Sequence, residues 1–397
     1  MTFSRFVLPF IFVLASIQIV SPQKTDSVKH TFWQNKSFTL GYQYGYVFPT
    51  NDFVKGLNAT AAQLDEYQDF SLKFSKQTTG EKLWEQLYNY PEWGIGLYAA
   101  DFFNSDEVGT PFALFGFLKA PFVRWNTGSF NYELGFGAST HWRSFNPLTN
   151  SYNTAIGAGQ AFFINAGLNL DFEIDRHVDL ITGFSLNHFS NGALKIPNSG
   201  INTVAPRIGI RYNVAQRPKF IKQIVPGFKP HNEWEISVFV SAKNLIFDTL
   251  TNVDILEKYE GVYFTVTGFT LAYNRWLSRK SKVGIGLNFA YNESVNGQIA
   301  IQNNDVVDVD GPFMEKFELS IFPSYELVVH KMSLVLQPAF YLYRKKLDNL
   351  SPVFHQRIGL KYHFTDNIYA GIILRDYAFH VSDFIEWTVG YSFETEK

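Results

Sequence analysis

His188 and Ser190 have the residue types and the spacing of a catalytic base and its nucleophile. A serine hydroxyl becomes a useful nucleophile when a base accepts its proton and a third group orients that base. Residues two apart on a strand point to the same face, so these two side chains can meet. The simpler alternative is that both are polar residues at headgroup depth, because a lone His-x-Ser is a weak signal.

The residues around this pair alternate as in a strand with two unlike faces. Phe184 and Leu186 share the parity of His188 and Ser190, whereas polar residues occupy the alternate positions. In the next strand the positions on the same outward face are occupied by Asn202 and then by a series of apolar residues (Val204, Ile208, Ile210 and Tyr212). The alternation therefore predicts that His188, Ser190 and Asn202 gather at one end of adjacent strands, on the surface that touches lipid.

The same alternation recurs along the chain, for example in residues 37–48, 129–138, 162–173 and 384–393. The 40 Phe and 21 Tyr residues are interleaved with polar ones, and the mean hydropathy of -0.09 is too low for a helical membrane protein. Segments of about ten residues with an aromatic-rich apolar face are typical of strands that cross a membrane. The fold class we predict is all-β, a transmembrane antiparallel β-barrel of the Gram-negative outer membrane.

Short turns alternate with longer polar loops, and the alternating segments number about sixteen. A weak internal repeat divides them into residues 37–214 and 232–397, separated by a proline-containing linker at 215–231. We expect one barrel of about sixteen strands, because only the extreme C-terminus carries the aromatic ending. Two tandem eight-stranded barrels are the alternative.

The N-terminus reads as a secretory signal peptide over residues 1–23, with an approximate cleavage site. A membrane anchor helix is the alternative, but the apolar run is short for a span and contains Pro9. The absence of cysteine excludes disulfides, a thiol nucleophile, a thiolate metal site and a lipoprotein anchor. The net charge of -2 gives no footprint for nucleic acid. We expect no cofactor and no metal.

The wider segment resembles a known family. His188-Phe-Ser190-Asn191-Gly192, then Lys195 and Pro197-Asn198-x-Gly200-Ile201, resembles the signature of the lipid A 3-O-deacylase (PagL)/acyloxyacyl hydrolase family of outer-membrane barrels. The resemblance covers residues 188–202 and, more loosely, 37–214. It implies hydrolysis of an acyl ester of lipid A, with lipopolysaccharide of the outer leaflet as the partner and the outer-membrane assembly machinery as a partner during biogenesis.

The resemblance also implies roles for individual residues. Ser190 would attack the ester carbonyl and His188 would act as general base and then general acid. Asn191, Asn198 and the backbone amides near Gly192 would stabilise the oxyanion. Ordinary turn chemistry is the alternative reading of the two asparagines and of Gly200.

Asn202 departs from the family pattern, which has a glutamate at this position to orient the histidine. An amide oxygen can accept the same hydrogen bond, but it cannot stabilise an imidazolium by charge. We therefore expect reduced activity, and we expect Asn202→Glu to raise it.

The second half carries similar residues at His380, Ser382, Asp383 and Glu386. Strand parity directs Glu386 into the lumen, and no Asn-Gly follows Ser382, so we interpret this half as a non-catalytic copy. The alternative to a lipid A deacylase is a non-enzymatic, porin-like or structural barrel that keeps a relic of the motif. An adhesin would rest on residues 49–92, which contain no recognisable binding motif.

Overall fold

The computed structural model describes residues 32–245, 247, 251–306, 311–347, 353–377 and 381–395. The predicted signal peptide and His380 lie outside the described residues. Within the described part, sixteen strands follow one another in antiparallel order. No helix there is long and apolar enough to cross a membrane.

The first eight strands form one closed barrel. They are β1 (Lys36–Val47), β2 (Glu66–Gln77), β3 (Glu92–Asp101), β4 (Gly109–Trp125), β5 (Gly128–Trp142), β6 (Gln160–Glu173), β7 (Val178–Ser190) and β8 (Ile201–Asn213). A short helix, α1 (Leu83–Leu87), lies in the β2–β3 connection.

The other eight strands form a second closed barrel. They are β9 (Asn232–Lys243), β10 (Phe264–Ser278), β11 (Ser281–Asn292), β12 (Phe317–Val329), β13 (Met332–Tyr343), β14 (Phe354–His363), β15 (Ile368–Tyr377) and β16 (Val381–Thr395). Helices α2 (Val253–Tyr259), α3 (Ser294–Asn303) and α4 (Phe313–Lys316) lie in its longer loops.

The prediction of one sixteen-stranded barrel is wrong, and the alternative of two tandem eight-stranded barrels is correct. In the first barrel β1 pairs with β8, so that Leu40 lies opposite Ile210. In the second, β16 pairs with β9, so that Val389 lies opposite Val238. Alternation with period two specifies the face that each residue occupies but not the strand on which the sheet closes. The aromatic ending of β16 is equally compatible with either closure.

The outer faces of both barrels are apolar. Residues such as Phe184, Leu186 and Ile208 on the first barrel and Val238 and Ile285 on the second are exposed. A monomeric soluble protein rarely exposes so continuous an apolar band, whereas a barrel in lipid requires one.

The interior of the first barrel is filled in two layers. Aromatic side chains pack together at the end with the long loops, including Tyr67, Tyr98, Phe163 and Phe189. Towards the short turns, buried ion pairs take over: Lys119 contacts Glu92 at 2.7 Å and Asp171 at 2.8 Å, and Arg211 contacts the same two carboxylates. An eight-stranded barrel is just wide enough for side chains to fill it.

The interior of the second barrel is more polar. Arg357 and Arg375 both contact Glu386, at 2.6 and 3.0 Å, which places Glu386 in the lumen as parity predicted. Nearer the short turns, Lys361 contacts Glu235 at 2.7 Å and Glu326 at 2.9 Å. All six of these side chains are buried. In the described part of both barrels, side chains occupy the space that a porin would leave to water.

Candidate active site

His188, Ser190 and Asn202 form one hydrogen-bonded chain on the outer wall of the first barrel. Ser190 Oγ lies 2.9 Å from His188 Nε2, and Asn202 Oδ1 lies 2.6 Å from His188 Nδ1. With the ring proton on Nδ1, His188 donates to Asn202 and accepts from the Ser190 hydroxyl. This is the relation of nucleophile, base and orienting group that serine hydrolysis requires.

Strand pairing explains why these three side chains meet. His188 lies directly opposite Asn202 in the β7–β8 ladder, and directly opposed residues share a face of the sheet. Ser190 is the last residue of β7, two positions beyond His188 on the same face. The outward parity that the sequence predicts for the three residues therefore brings them together at the loop end of the barrel.

Gly200 allows the following loop to return close to the histidine. Its φ of +74° lies in the left-handed region, and a Cβ at this position would lie 3.1 Å from His188 Cε1 and 3.5 Å from Ser190 Cβ. The glycine thus has a steric role beside the site as well as a turn role.

Thr50 holds the far side of Asn202, and the sequence analysis missed it. The Asn202 side-chain amide donates to Thr50 Oγ1 at 3.1 Å, an arrangement that turns its oxygen towards His188. The backbone N–H of Phe48 donates to the Asn202 carbonyl at 2.9 Å. Both residues follow β1, which neighbours β8 only because the first half closes on itself. Thr50 could have been identified from the sequence only if β1 had been predicted to pair with β8.

The two asparagines of the motif have different partners. Asn191 donates its side-chain amide to the Lys195 carbonyl at 2.7 Å, so this group is used within the loop. Asn198 Oδ1 accepts the Asn191 backbone N–H at 2.8 Å. The Asn198 Nδ2 group is buried and has no hydrogen-bond partner in the described part of the chain. Of the two side chains, Asn198 thus presents a free buried donor, which normally requires a partner.

A groove of about 320 Å³ begins beside the histidine on the outer wall. It is lined by the apolar residues Phe48, Ile164, Ala166 and Leu186 together with five residues that carry polar side chains, namely Thr50, Asn187, His188, Asn202 and Thr203. Such a combination of an apolar trough and a few polar groups suits a ligand with an acyl chain and an ester.

The corresponding residues of the second barrel do not reproduce this arrangement. Asp383 contacts Lys243 at 2.5 Å and accepts a hydrogen bond from Tyr377 at 3.0 Å. Glu386 is held by two arginines in the lumen. Ser382 lies at the start of β16 opposite Asp376. The described residues of this half form a structural network, and the interpretation as a non-catalytic copy remains a prediction.

Two family models match the chain. Residues 68–211 match the lipid A 3-O-deacylase (PagL) family, and residues 232–395 match the C-terminal domain of acyloxyacyl hydrolase. The resemblance inferred from residues 188–202 is therefore confirmed, and the second match explains a half of the chain for which the motif gave no account. These family domains suggest a lipid A deacylase-like function.

No curated protein matches the chain. Among solved structures, Neisserial surface protein A aligns with 8% identity over 45% of this chain and 97% of its own, with a TM-score of 0.29. CdiB from Escherichia coli aligns with 8% identity over 91% of this chain and 63% of its own, with a TM-score of 0.22. Omp33 of Acinetobacter baumannii aligns with 7% identity over 92% of this chain and 100% of its own, with a TM-score of 0.16. The architecture follows from the strand pairing of the chain itself.

Closed barrels with apolar outer walls, together with a family of outer-membrane lipid A deacylases, place the chain in the bacterial outer membrane.

Proposed function

Because the first barrel matches the lipid A 3-O-deacylase (PagL) family, we propose that this outer-membrane protein is a serine esterase that removes an ester-linked acyl chain from lipid A. The observation that carries the proposal is the hydrogen-bonded chain Ser190–His188–Asn202 on the outer wall. A substrate embedded in the outer leaflet reaches this wall by lateral diffusion, without entering either barrel.

In the first step Ser190 Oγ attacks the ester carbonyl while its proton passes to His188 Nε2. The carbon–oxygen bond to the sugar then breaks, and His188 returns the proton to the leaving sugar oxygen. The acyl group remains on Ser190 as an ester. In the second step a water molecule gives a proton to His188 and attacks the acyl carbonyl. The bond to Ser190 Oγ breaks, the fatty acid leaves, and His188 passes the proton to Ser190 Oγ.

The negative charge on the substrate oxygen during both steps needs hydrogen-bond donors. The unpartnered Nδ2 group of Asn198 is the side-chain donor we assign to this role. Asn191 contributes indirectly, because its backbone N–H holds Asn198 Oδ1 and so orients the amide. We place the acyl chain in the apolar groove past Ala166.

The test is Ser190→Ala in the full-length protein, reconstituted with lipopolysaccharide. We expect the rate of fatty acid release to fall by at least about 1,000-fold, because the nucleophile is lost while the rest of the site stays in place. Removing one hydrogen bond between side chains costs only about 1 kcal/mol of stability. The barrel should therefore remain folded, as checked by its heat-dependent migration on gels.

Ser382→Ala is the matched control, since this serine lies at the start of a strand in the second barrel. We expect it to leave the rate unchanged. Mass spectrometry of the lipid A product identifies the ester that is cleaved. Full hydrolysis by folded Ser190→Ala protein would refute the mechanism.

A further inference from the structure

The loop that follows the nucleophile packs against the second barrel. Gly192, two residues after Ser190, lies so close to Ile385 of β16 that a Cβ on the glycine would overlap the Ile385 Cδ1 atom. Leu374 Cδ1 on β15 would lie 3.7 Å from the same Cβ. The backbone of this loop therefore rests directly on two apolar side chains of the neighbouring barrel.

Ile385 is buried where it meets this loop. Ile385 is on the outward-facing side of β16 yet is only 2% exposed, whereas Val389, four residues along the same side, is 56% exposed. Since the other outward residues of this wall face lipid, the loop of the first barrel accounts for the difference.

A hydrogen bond reinforces the packing. The side-chain amide of Asn244, which directly follows β9, donates to the Leu194 carbonyl at 3.2 Å. Leu194 in turn donates its backbone N–H to the Asn191 carbonyl at 3.2 Å. The second barrel thus holds the loop on both sides of Ala193.

The two barrels also touch at their other end, which keeps them from rotating about a single contact. The Tyr88 hydroxyl donates to the Val328 carbonyl at 2.6 Å. The Trp84 ring stacks on His330 with centroids 5.2 Å apart. Contacts at both ends of the barrels define one relative orientation at the site.

We propose that the second barrel is a positioning element for catalysis in the first, acting through Ile385 and Asn244 on the loop that carries the oxyanion donors. The inference rests on the proposed esterase function. Neither residue lines the groove beside His188. They fix the backbone between Asn191 and Leu194 and, through the Asn191 N–H, the amide of Asn198. Enzymes lose rate steeply when such groups are displaced, because the geometry must be present before the reaction begins.

The experiment compares Ile385→Ala with Val389→Ala in the full-length protein. Both remove apolar atoms from the same side of β16, but only Ile385 contacts the loop. We expect kcat of Ile385→Ala to fall about tenfold with KM little changed, since positioning acts on the transition state. Val389→Ala should match the wild type, and Ile385→Val should recover most of the rate. Asn244→Ala, outside the strands, provides a second variant that does not alter the barrel wall.

Hydrogen–deuterium exchange of peptides covering residues 189–196 gives a readout that is independent of activity. We expect faster exchange in Ile385→Ala and Asn244→Ala and none of this change in Val389→Ala. Wild-type kcat and wild-type exchange in both variants would overturn the inference. If the wild type does not hydrolyse lipid A esters, the proposed function fails, and the exchange data alone then decide whether the second barrel holds the loop.

Discussion

Replacing Asn202 with an acid tests the orienting role of this residue. Asn202→Asp keeps the size of the side chain, and its Oδ1 can occupy the position 2.6 Å from His188 Nδ1. The second carboxylate oxygen then faces Thr50, whose hydroxyl can turn to donate instead of accepting. Asn202→Glu restores the residue of the family pattern, but its extra methylene has to fit into a contact that is already short.

The expected gain follows from the charge. Two unit charges about 4 Å apart attract by about 4 kcal/mol at an effective dielectric constant of 20. Keeping a carboxylate beside the apolar groove offsets part of this attraction. If about half of this attraction stabilises the transition state, kcat rises by about 30-fold. The loss of about 10,000-fold that follows replacement of the triad aspartate by asparagine in serine proteases is an upper limit to the gain.

Initial rates on purified lipid A, measured for the wild type, Asn202→Asp and Asn202→Glu, decide the question. We expect both acids to exceed the wild type, with aspartate at least equal to glutamate. A folded Asn202→Asp protein that is no faster than the wild type would show that the native site depends on the amide itself.

Two further outcomes are expected. Asn198→Ala should lower kcat about 100-fold through loss of an oxyanion donor. Asn198→Asp keeps the acceptor for the Asn191 N–H but has no amide donor, so its kcat should be no higher than that of Asn198→Ala. A wild-type kcat in Asn198→Asp would exclude the donor role. Burial, together with Lys82 and Lys331, lowers the pKa of His330 in the β12–β13 turn. The neutral ring is thus favoured in the contact, so stacking on Trp84 should be complete above pH 6.5 and weaken as pH falls below it. Tryptophan fluorescence relative to Trp84→Phe measures this, and a signal independent of pH would contradict it.

The strands and their faces were predictable from the sequence, but closure was not. The alternation of residues 162–173 and 384–393 reappears in β6 and β16, because burying one face of a strand fixes the parity of every side chain on it. The partner of an edge strand depends on backbone hydrogen bonds that are the same for every sequence. The residue pattern therefore does not show whether β8 pairs with β1 or with β9.

The site shows the same division. Parity alone placed His188, Ser190 and Asn202 on one outward face, and the structure brings them within hydrogen-bond distance. Thr50 and Ile385 were missed, since both approach from segments that are distant in sequence. The first depends on the closure of its barrel, and the second on contact between the barrels.

Separate closure also bears on how the protein enters its membrane. The seam of the first barrel joins β1 to β8, and that of the second joins β9 to β16, so each half satisfies its own backbone hydrogen bonds. Neither half therefore has an unpaired strand edge in the bilayer before the other half is inserted. Unpaired edges of this kind promote misassembly. Insertion can therefore proceed as two complete events, and the loop after Ser190 contacts Ile385 and Asn244 only when both are finished.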